Sequence, residues 1–221
     1  MVLRSVKGMM PFSSFVLRGF LCLVCLWAAT LKAEVPLAAA RLSTKMLRQK
    51  CLDALNNIQD LRAAFYQKTN KGDARGMLYL KRPLKGESFG HLCLSYEAPS
   101  DLEVLSTGRR LYLHRSLSKE TTEIPMTSTP LVLLLRQKIA LGQFVREKSL
   151  LVEEDRVLWT LYDPQEADKG QVTLVFSLND FALEGWRVLD MYGDTTQVVL
   201  HQPLINQGLS IDVFKKPYAA S

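Results

Sequence analysis

The spacing of apolar residues changes period along the chain. From Ala39 to Leu55 the sequence reads AARLSTKMLRQKCLDAL, and Leu42, Met46, Cys51, Leu52 and Leu55 form a loose helical stripe. This predicts a first helix, closed by Asn56-Asn57. After it the period becomes two. Leu61, Ala63, Phe65 and Gln67 alternate with Arg62, Ala64, Tyr66 and Lys68. Met77–Leu80, Leu92–Tyr96, Leu102–Ser106, Leu111–Leu113 and Thr121–Ile124 continue as strands separated by turn residues such as Thr107-Gly108.

Thr129 to Ile139 interrupts the β pattern. Thr129 suits a cap, Pro130 a first helical position, and Arg136 and Lys138 a last turn. Its LVLLL run is apolar all round, so this second helix is expected to be enclosed or to touch apolar ligand. Strands resume over 144–153, 156–162, 171–178, 182–190 and 195–202, and Leu209–Phe214 reads as an edge segment. Short turns join nearly all of them, so neighbours are expected to be antiparallel. The expectation is a mainly β fold with some α: one large sheet of about ten or eleven strands, with helices on one side. Val157, Trp159 and Leu161 are apolar on one face of a strand while Leu158 and Tyr162 are apolar on the other. Either protein covers both faces, or a curved sheet encloses a ligand cavity.

The N-terminus follows neither pattern. Arg4, Lys7 and Arg18 precede FLCLVCLWAA, Phe20 to Ala29, and no acid occurs before Glu34. That apolar run is shorter than the ~20 residues a membrane span needs. A basic start, a short apolar stretch and a small-residue exit read as a secretory signal peptide over residues 1–33. Leu31-Lys32-Ala33 is the expected cleavage triplet, with Ala38–Ala40 as an alternative cut and an uncleaved anchor as the alternative fate. Residues 34–221 are then one exported domain. This changes the meaning of the charge. The full chain carries a formal +6, but removing residues 1–33 leaves 24 basic against 22 acidic side chains. Most of the basicity belongs to the leader, so nucleic acid is not an expected partner.

Candidate chemistry is sparse. Cys22 and Cys25 lie within the leader, and Cys51 and Cys93 read either as one bridge or as two buried thiols. His91, His114 and His201 have no ligand spacing and read as strand-surface or turn residues. Glu153-Glu154-Asp155 reads as a solvated hairpin tip. The chain has no nucleophile elbow, zinc-protease motif or nucleotide-binding glycine loop. A binding protein is expected, with no enzyme activity, metal or cofactor.

The order of motifs from Leu61 onward resembles the LolA family of periplasmic outer-membrane lipoprotein carriers. The residues are Phe65-Tyr66-Gln67, Gly76 to Leu80, Lys81-Arg82-Pro83, the strand Leu92 to Tyr96, and Pro99. Thr107-Gly108, Tyr112, the Thr129-Pro130-Leu131 segment, and Leu183–Trp186 with Asp190, Gly193 and Asp194–Thr196 extend the likeness over about residues 40–215. The resemblance implies a strongly curved, incomplete antiparallel barrel with lid helices over a hydrophobic cavity. It implies that Arg82, in the R-P motif, latches the lid. Candidates for the cavity wall are Leu78, Leu92, Leu94, Tyr96, Val104, Tyr112, Leu131, Val132 and Leu134. Implied partners are lipoprotein acyl chains, an inner-membrane ABC exporter, and an outer-membrane receptor or the outer membrane itself, met by a periplasmic monomer. A lipid- or lipoprotein-sensing regulatory module of the same fold is the alternative. Two features depart from the family pattern: Leu92, Cys93 and Leu94 stand where large aromatics are common, and Leu84–Gly90 is longer than the usual turn.

Overall fold

The computed structural model describes residues 42–126 and 129–219. The expected signal peptide, and the expected helical residues before Leu42, lie outside the described residues.

Helix α1 spans Thr44–Asn57. Ser43 caps it by accepting a hydrogen bond from the Met46 amide at 3.3 Å. Leu47, Cys51 and Leu55 recur every four residues, which puts all three on the buried face. Eleven strands follow: β1 (Asp60–Thr69), β2 (Gly72–Lys81), β3 (His91–Tyr96), β4 (Leu102–Thr107), β5 (Arg110–Arg115), β6 (Glu120–Pro125), β7 (Arg146–Glu153), β8 (Arg156–Tyr162), β9 (Gly170–Ser177), β10 (Leu183–Asp190) and β11 (Thr195–Ile205). They form one antiparallel sheet in the order β6-β5-β4-β3-β2-β1-β11-β10-β9-β8-β7. The first and last strands pair at its centre, and β6 and β7 are its two edges, so the sheet is open.

One face of this sheet and the buried face of α1 share a single apolar core. It joins Leu78, Leu92 and Leu94 from one wing to Trp159, Leu174, Phe176 and Trp186 from the other, with Phe65 and Val198 between them. Strands so far apart in sheet order share a core because the sheet curves around it. The period-two alternation of β1, β2 and β9 is this inside–outside pattern.

Two expected elements take other forms. The second helix is a short 3-10 helix, Pro130–Leu135, whose Thr129 hydroxyl accepts from the Leu131 amide at 3.3 Å. It does not reach Ile139, because its last carbonyls are occupied elsewhere. Gly90 donates its amide to the Leu135 carbonyl at 2.6 Å, and Arg82 donates to the Leu134 and Arg136 carbonyls. The α-helical partners four residues on are therefore displaced. The Leu209–Phe214 segment is not an edge strand. Ser210 accepts from the Asp212 amide at 3.2 Å and starts a 3-10 turn, Ile211–Phe214. That turn lies across the outer face of β3, β4 and β5, where Phe214 joins Cys93, Leu105 and Tyr112 in a second, smaller apolar cluster.

Candidate functional site

The site is the seam between α1, the 3-10 helix and the strand end that carries Arg82. Pro83 follows Arg82 and has no amide to continue the β2 ladder. The Arg82 amide leaves the sheet to bond the Gln59 carbonyl at 2.8 Å. Its side chain turns inward and is only 6% exposed. The guanidinium then donates to four carbonyls: Ile58 at 2.9 Å, Leu55 at 2.6 Å, and Leu134 and Arg136 at 2.7 Å each. Leu55 and Ile58 end α1, while Leu134 and Arg136 end the 3-10 helix. One planar fork thus ties together the ends of two segments distant in sequence. A cation is also well placed at a helix C-terminus, where unpaired carbonyls point outward. Arg82 has no ion pair among the described residues, and burial pulls its ionisation down to about 10, so it remains charged at neutral pH.

Two further contacts seat the helix. The Asn56 side chain makes a reciprocal pair with the Ile139 backbone, donating to its carbonyl at 2.9 Å and accepting from its amide at 2.8 Å. At the other end of α1, Arg48 grips both Glu147 oxygens, at 2.7 and 2.8 Å. Trp159, fully buried, donates its indole N–H to the same carboxylate at 2.8 Å. The Arg48 hydrogen bonds hold the Glu147 carboxyl below its ordinary range, with the indole adding to the effect against partial desolvation. Glu147 sits beside a register shift in β7, which turns its side chain toward α1.

The structure brings most of the expected wall residues together. Leu78, Leu92, Leu94, Val132 and Leu134 are buried in the main core, and Tyr96, Val104 and Leu131 are half-buried against it. All belong to, or pack against, the same core that contains Leu47, Cys51 and Leu55 of α1. Tyr112 does not join them. It points to the opposite face and packs with Phe214, because Leu111 and Leu113 take the inward positions of β5. His91 is also not a free surface residue: it is buried beneath the C-terminal segment. Cys51 and Cys93 are both free and lie on opposite faces of the sheet, in separate apolar clusters. The two-thiol alternative therefore holds. Burial pushes their ionisation up, to about 12 for Cys51 and about 11 for Cys93.

The spaced motif Phe65-x-Gln67, Gly76 and Tyr96 also acquires a physical meaning. Register places Phe65 opposite Gly76, and Gly76 opposite Tyr96. A Cβ on Gly76 would lie 2.1 Å from the Ser95 carbonyl oxygen. Across that gap the Phe65 and Tyr96 rings meet edge to face at 5.2 Å, and the Tyr96 hydroxyl donates to Gln67 at 2.7 Å.

The sequence model for the family described as outer membrane lipoprotein carrier protein LolA matches residues 56–217. The chain belongs to the LolA family. No curated protein matches it by sequence. Among solved structures it is similar to an uncharacterized conserved protein from Thermus thermophilus, at 12% identity and a TM-score of 0.44, covering 77% of this chain and 93% of that one. It is similar to a LolA superfamily protein from Nitrosomonas europaea, at 10% identity and a TM-score of 0.40, covering 77% of this chain and 98% of that one. A third similarity is to the MucA/MucB complex of Pseudomonas aeruginosa, at 11% identity and a TM-score of 0.40, covering 76% of this chain and 59% of that one. LolA membership rests on the sequence match.

Asn56 and the Arg48–Glu147–Trp159 clamp had no signal in the sequence. Asn56 resembles any helix-ending asparagine, and Arg48 and Glu147 are 99 positions apart.

Proposed function

We propose that this protein is a periplasmic carrier that holds lipoprotein acyl chains against its concave apolar face and moves them from the inner to the outer membrane. The observation that carries this reading is Arg82: a buried cation whose hydrogen bonds go to the ends of the two segments that cover the apolar interior. An apolar side chain at this position would leave those carbonyls unpaired and would only add to the apolar interior. A polar latch has a different property. Its donors and acceptors exchange partners with water when it opens, so each bond contributes only ~0.5–1.5 kcal/mol net, somewhat more for a charged donor.

Magnitudes favour opening by cargo. Each methylene taken from water contributes about 0.8 kcal/mol. A chain of about fifteen methylenes therefore brings on the order of 12 kcal/mol, more than the few kcal/mol of a four-bond latch. An entering chain can displace α1 and pack against Leu78, Leu92 and Leu94, which share its apolar core. Release needs the reverse, and a flexible aliphatic lining holds chains without a fixed shape.

In this reading the inner-membrane donor is an ABC exporter, and the acceptor is an outer-membrane receptor or the outer membrane itself. Among the described residues no helix is long and apolar enough to cross a membrane. The test is release: the purified protein is incubated with inner-membrane vesicles carrying a triacylated lipoprotein and its exporter, with ATP. A soluble one-to-one complex is expected. Lipoprotein that stays wholly in the vesicles overturns the carrier reading, and altered envelope signalling on depletion without stranded lipoprotein would favour the sensor.

A further inference from the structure

The Leu84–Gly90 segment, longer than the usual turn of the family, has a use at the open side of the sheet. Glu87 closes the segment on itself. Its Oε2 accepts from the Leu84 amide at 2.7 Å and lies 2.9 Å from the His91 ring. Phe89 then pairs with Arg136 in an isolated antiparallel bridge. Arg136 follows the 3-10 helix in an extended conformation. Its carbonyl is one of the four that Arg82 holds, at 2.7 Å. Its side chain takes no part in that latch and reaches elsewhere.

The Arg136 guanidinium meets groups from both wings of the sheet. Phe89 belongs to the connection between β2 and β3, on the wing that ends at β6, and its ring centre lies 5.7 Å from the guanidinium carbon. Phe144, just before β7, offers a second ring at 5.0 Å. Asp163, just after β8, accepts from the guanidinium at 3.1 Å. A planar cation within about 6 Å of a ring face is attracted by the ring and can also pair with a carboxylate. β6 and β7 are the two edges of the sheet, so this one side chain joins what no strand ladder joins. Its hold differs from that of Arg82. The Arg136 and Asp163 side chains are 23% and 14% exposed, and the Arg136 Nε has no acceptor among the described residues. Water competes for a partly exposed ion pair, so it opens more readily than a buried, fully bonded guanidinium.

We propose that Arg136 is a clasp across the open side of the sheet, a positioning residue that holds the two wings closed over the concave interior and lets go when cargo enters. The closure rests on the geometry of Arg136, Phe89, Phe144 and Asp163; what enters rests on the carrier reading. Clasp and latch meet in one residue, whose backbone belongs to Arg82 and whose side chain belongs to the wings.

The test measures the distance between the two edges in the full chain. Spin labels are attached through a ketone-bearing amino acid replacing Thr122 on β6 and Leu151 on β7, both exposed. A control pair, replacing Leu151 and the exposed Tyr192, lies within one wing. One narrow distance between the edges is expected in the wild type. A second, longer distance is expected in Arg136→Gln and in Asp163→Asn, with the control pair unchanged. Asp163→Asn keeps the Oδ1 that accepts from the Gln165 amide, so the local turn is retained. Asp163→Glu keeps the charge and is expected to restore the single distance. Uptake of lipoprotein from exporter-bearing vesicles should be about threefold faster in the two opened variants, the factor that corresponds to losing a partly exposed ion pair. Edges that stay at the wild-type distance in both variants, or a control pair that loosens with them, would overturn the clasp. So would unchanged uptake by variants of a wild type that loads. A wild type that never loads, with edges that separate in the variants, would instead overturn the carrier reading and leave the clasp supported.

Discussion

Arg82 has a full set of acceptors but no counter-charge, and this fixes how its substitutions behave. Arg82→Leu keeps the apolar stem and leaves the four carbonyls of Leu55, Ile58, Leu134 and Arg136 without their donor. A loss of about 2–4 kcal/mol in unfolding free energy is expected. The functional effect should be more specific: the variant still takes up lipoprotein but mishandles release or reloading, measured as the ratio of transfer to uptake. Arg82→Lys should be intermediate in stability, because three rotatable donors cannot reproduce a planar fork across two segment ends. Gly76 makes a different kind of demand. Gly76→Ala drives a methyl into the Ser95 carbonyl, so β2 and β3 must separate. A loss of about 1–3 kcal/mol by denaturant titration is expected, with weakened Phe65–Tyr96 contact. Both residues were legible in the sequence through the resemblance. Their partners were not, because backbone carbonyls have no sequence identity and register decides which ring meets which.

At the scale of elements, α1 is held at both ends by polar contacts and along its length by Leu47, Cys51 and Leu55, and in the carrier reading it is the lid. Strands β1, β2 and β9 were legible because they alternate, and the others largely through the turn residues that bound them. The LVLLL segment was not, since five apolar residues fit an α-helix as well as a 3-10 helix. Tertiary donors from Arg82 and Gly90 decided between them. The Leu209–Phe214 segment shows the same effect, with burial of Phe214 outweighing strand propensity. The Arg48–Glu147 contact gives the seating of α1 a pH dependence. The Glu147 carboxyl is held below its ordinary range, so the unfolded chain binds its proton first as pH falls. Its contribution is complete above the ordinary carboxylate pKa of ~4.3 and fades as pH drops through the lowered value. Glu147→Gln should lower Tm at pH 7 by about 2–4 °C, and the difference from wild type should shrink toward pH 3. Equal differences at both pH values would remove this assignment.

For the whole molecule, an open sheet leaves its two wings free to move relative to one another only where no strand pairs them, between β6 and β7. The 3-10 helix lies on that connection and contacts β9 and β10. In the carrier reading it is the place where the interior opens. The two faces differ: the concave one holds the main core, and the convex one is partly covered by the C-terminal segment. Cys51 reports on the first and Cys93 on the second. Both thiols are buried with raised ionisation, so neither should react with iodoacetamide at pH 8 in the folded protein, and both should react in denaturant. If α1 lifts when cargo enters, loading should alter the labelling of Cys51 and leave Cys93 protected.

The most direct test of the carrier reading is photo-crosslinking from inside the concave core. A photoreactive phenylalanine analogue at Leu94, buried in the concave core, is compared with one at Leu117, which is 84% exposed. After incubation with lipoprotein-bearing vesicles and exporter, the account predicts a crosslink to the acylated cysteine region of the lipoprotein from Leu94, and none from Leu117. No crosslink from Leu94, or equal crosslinking from both positions, would contradict it.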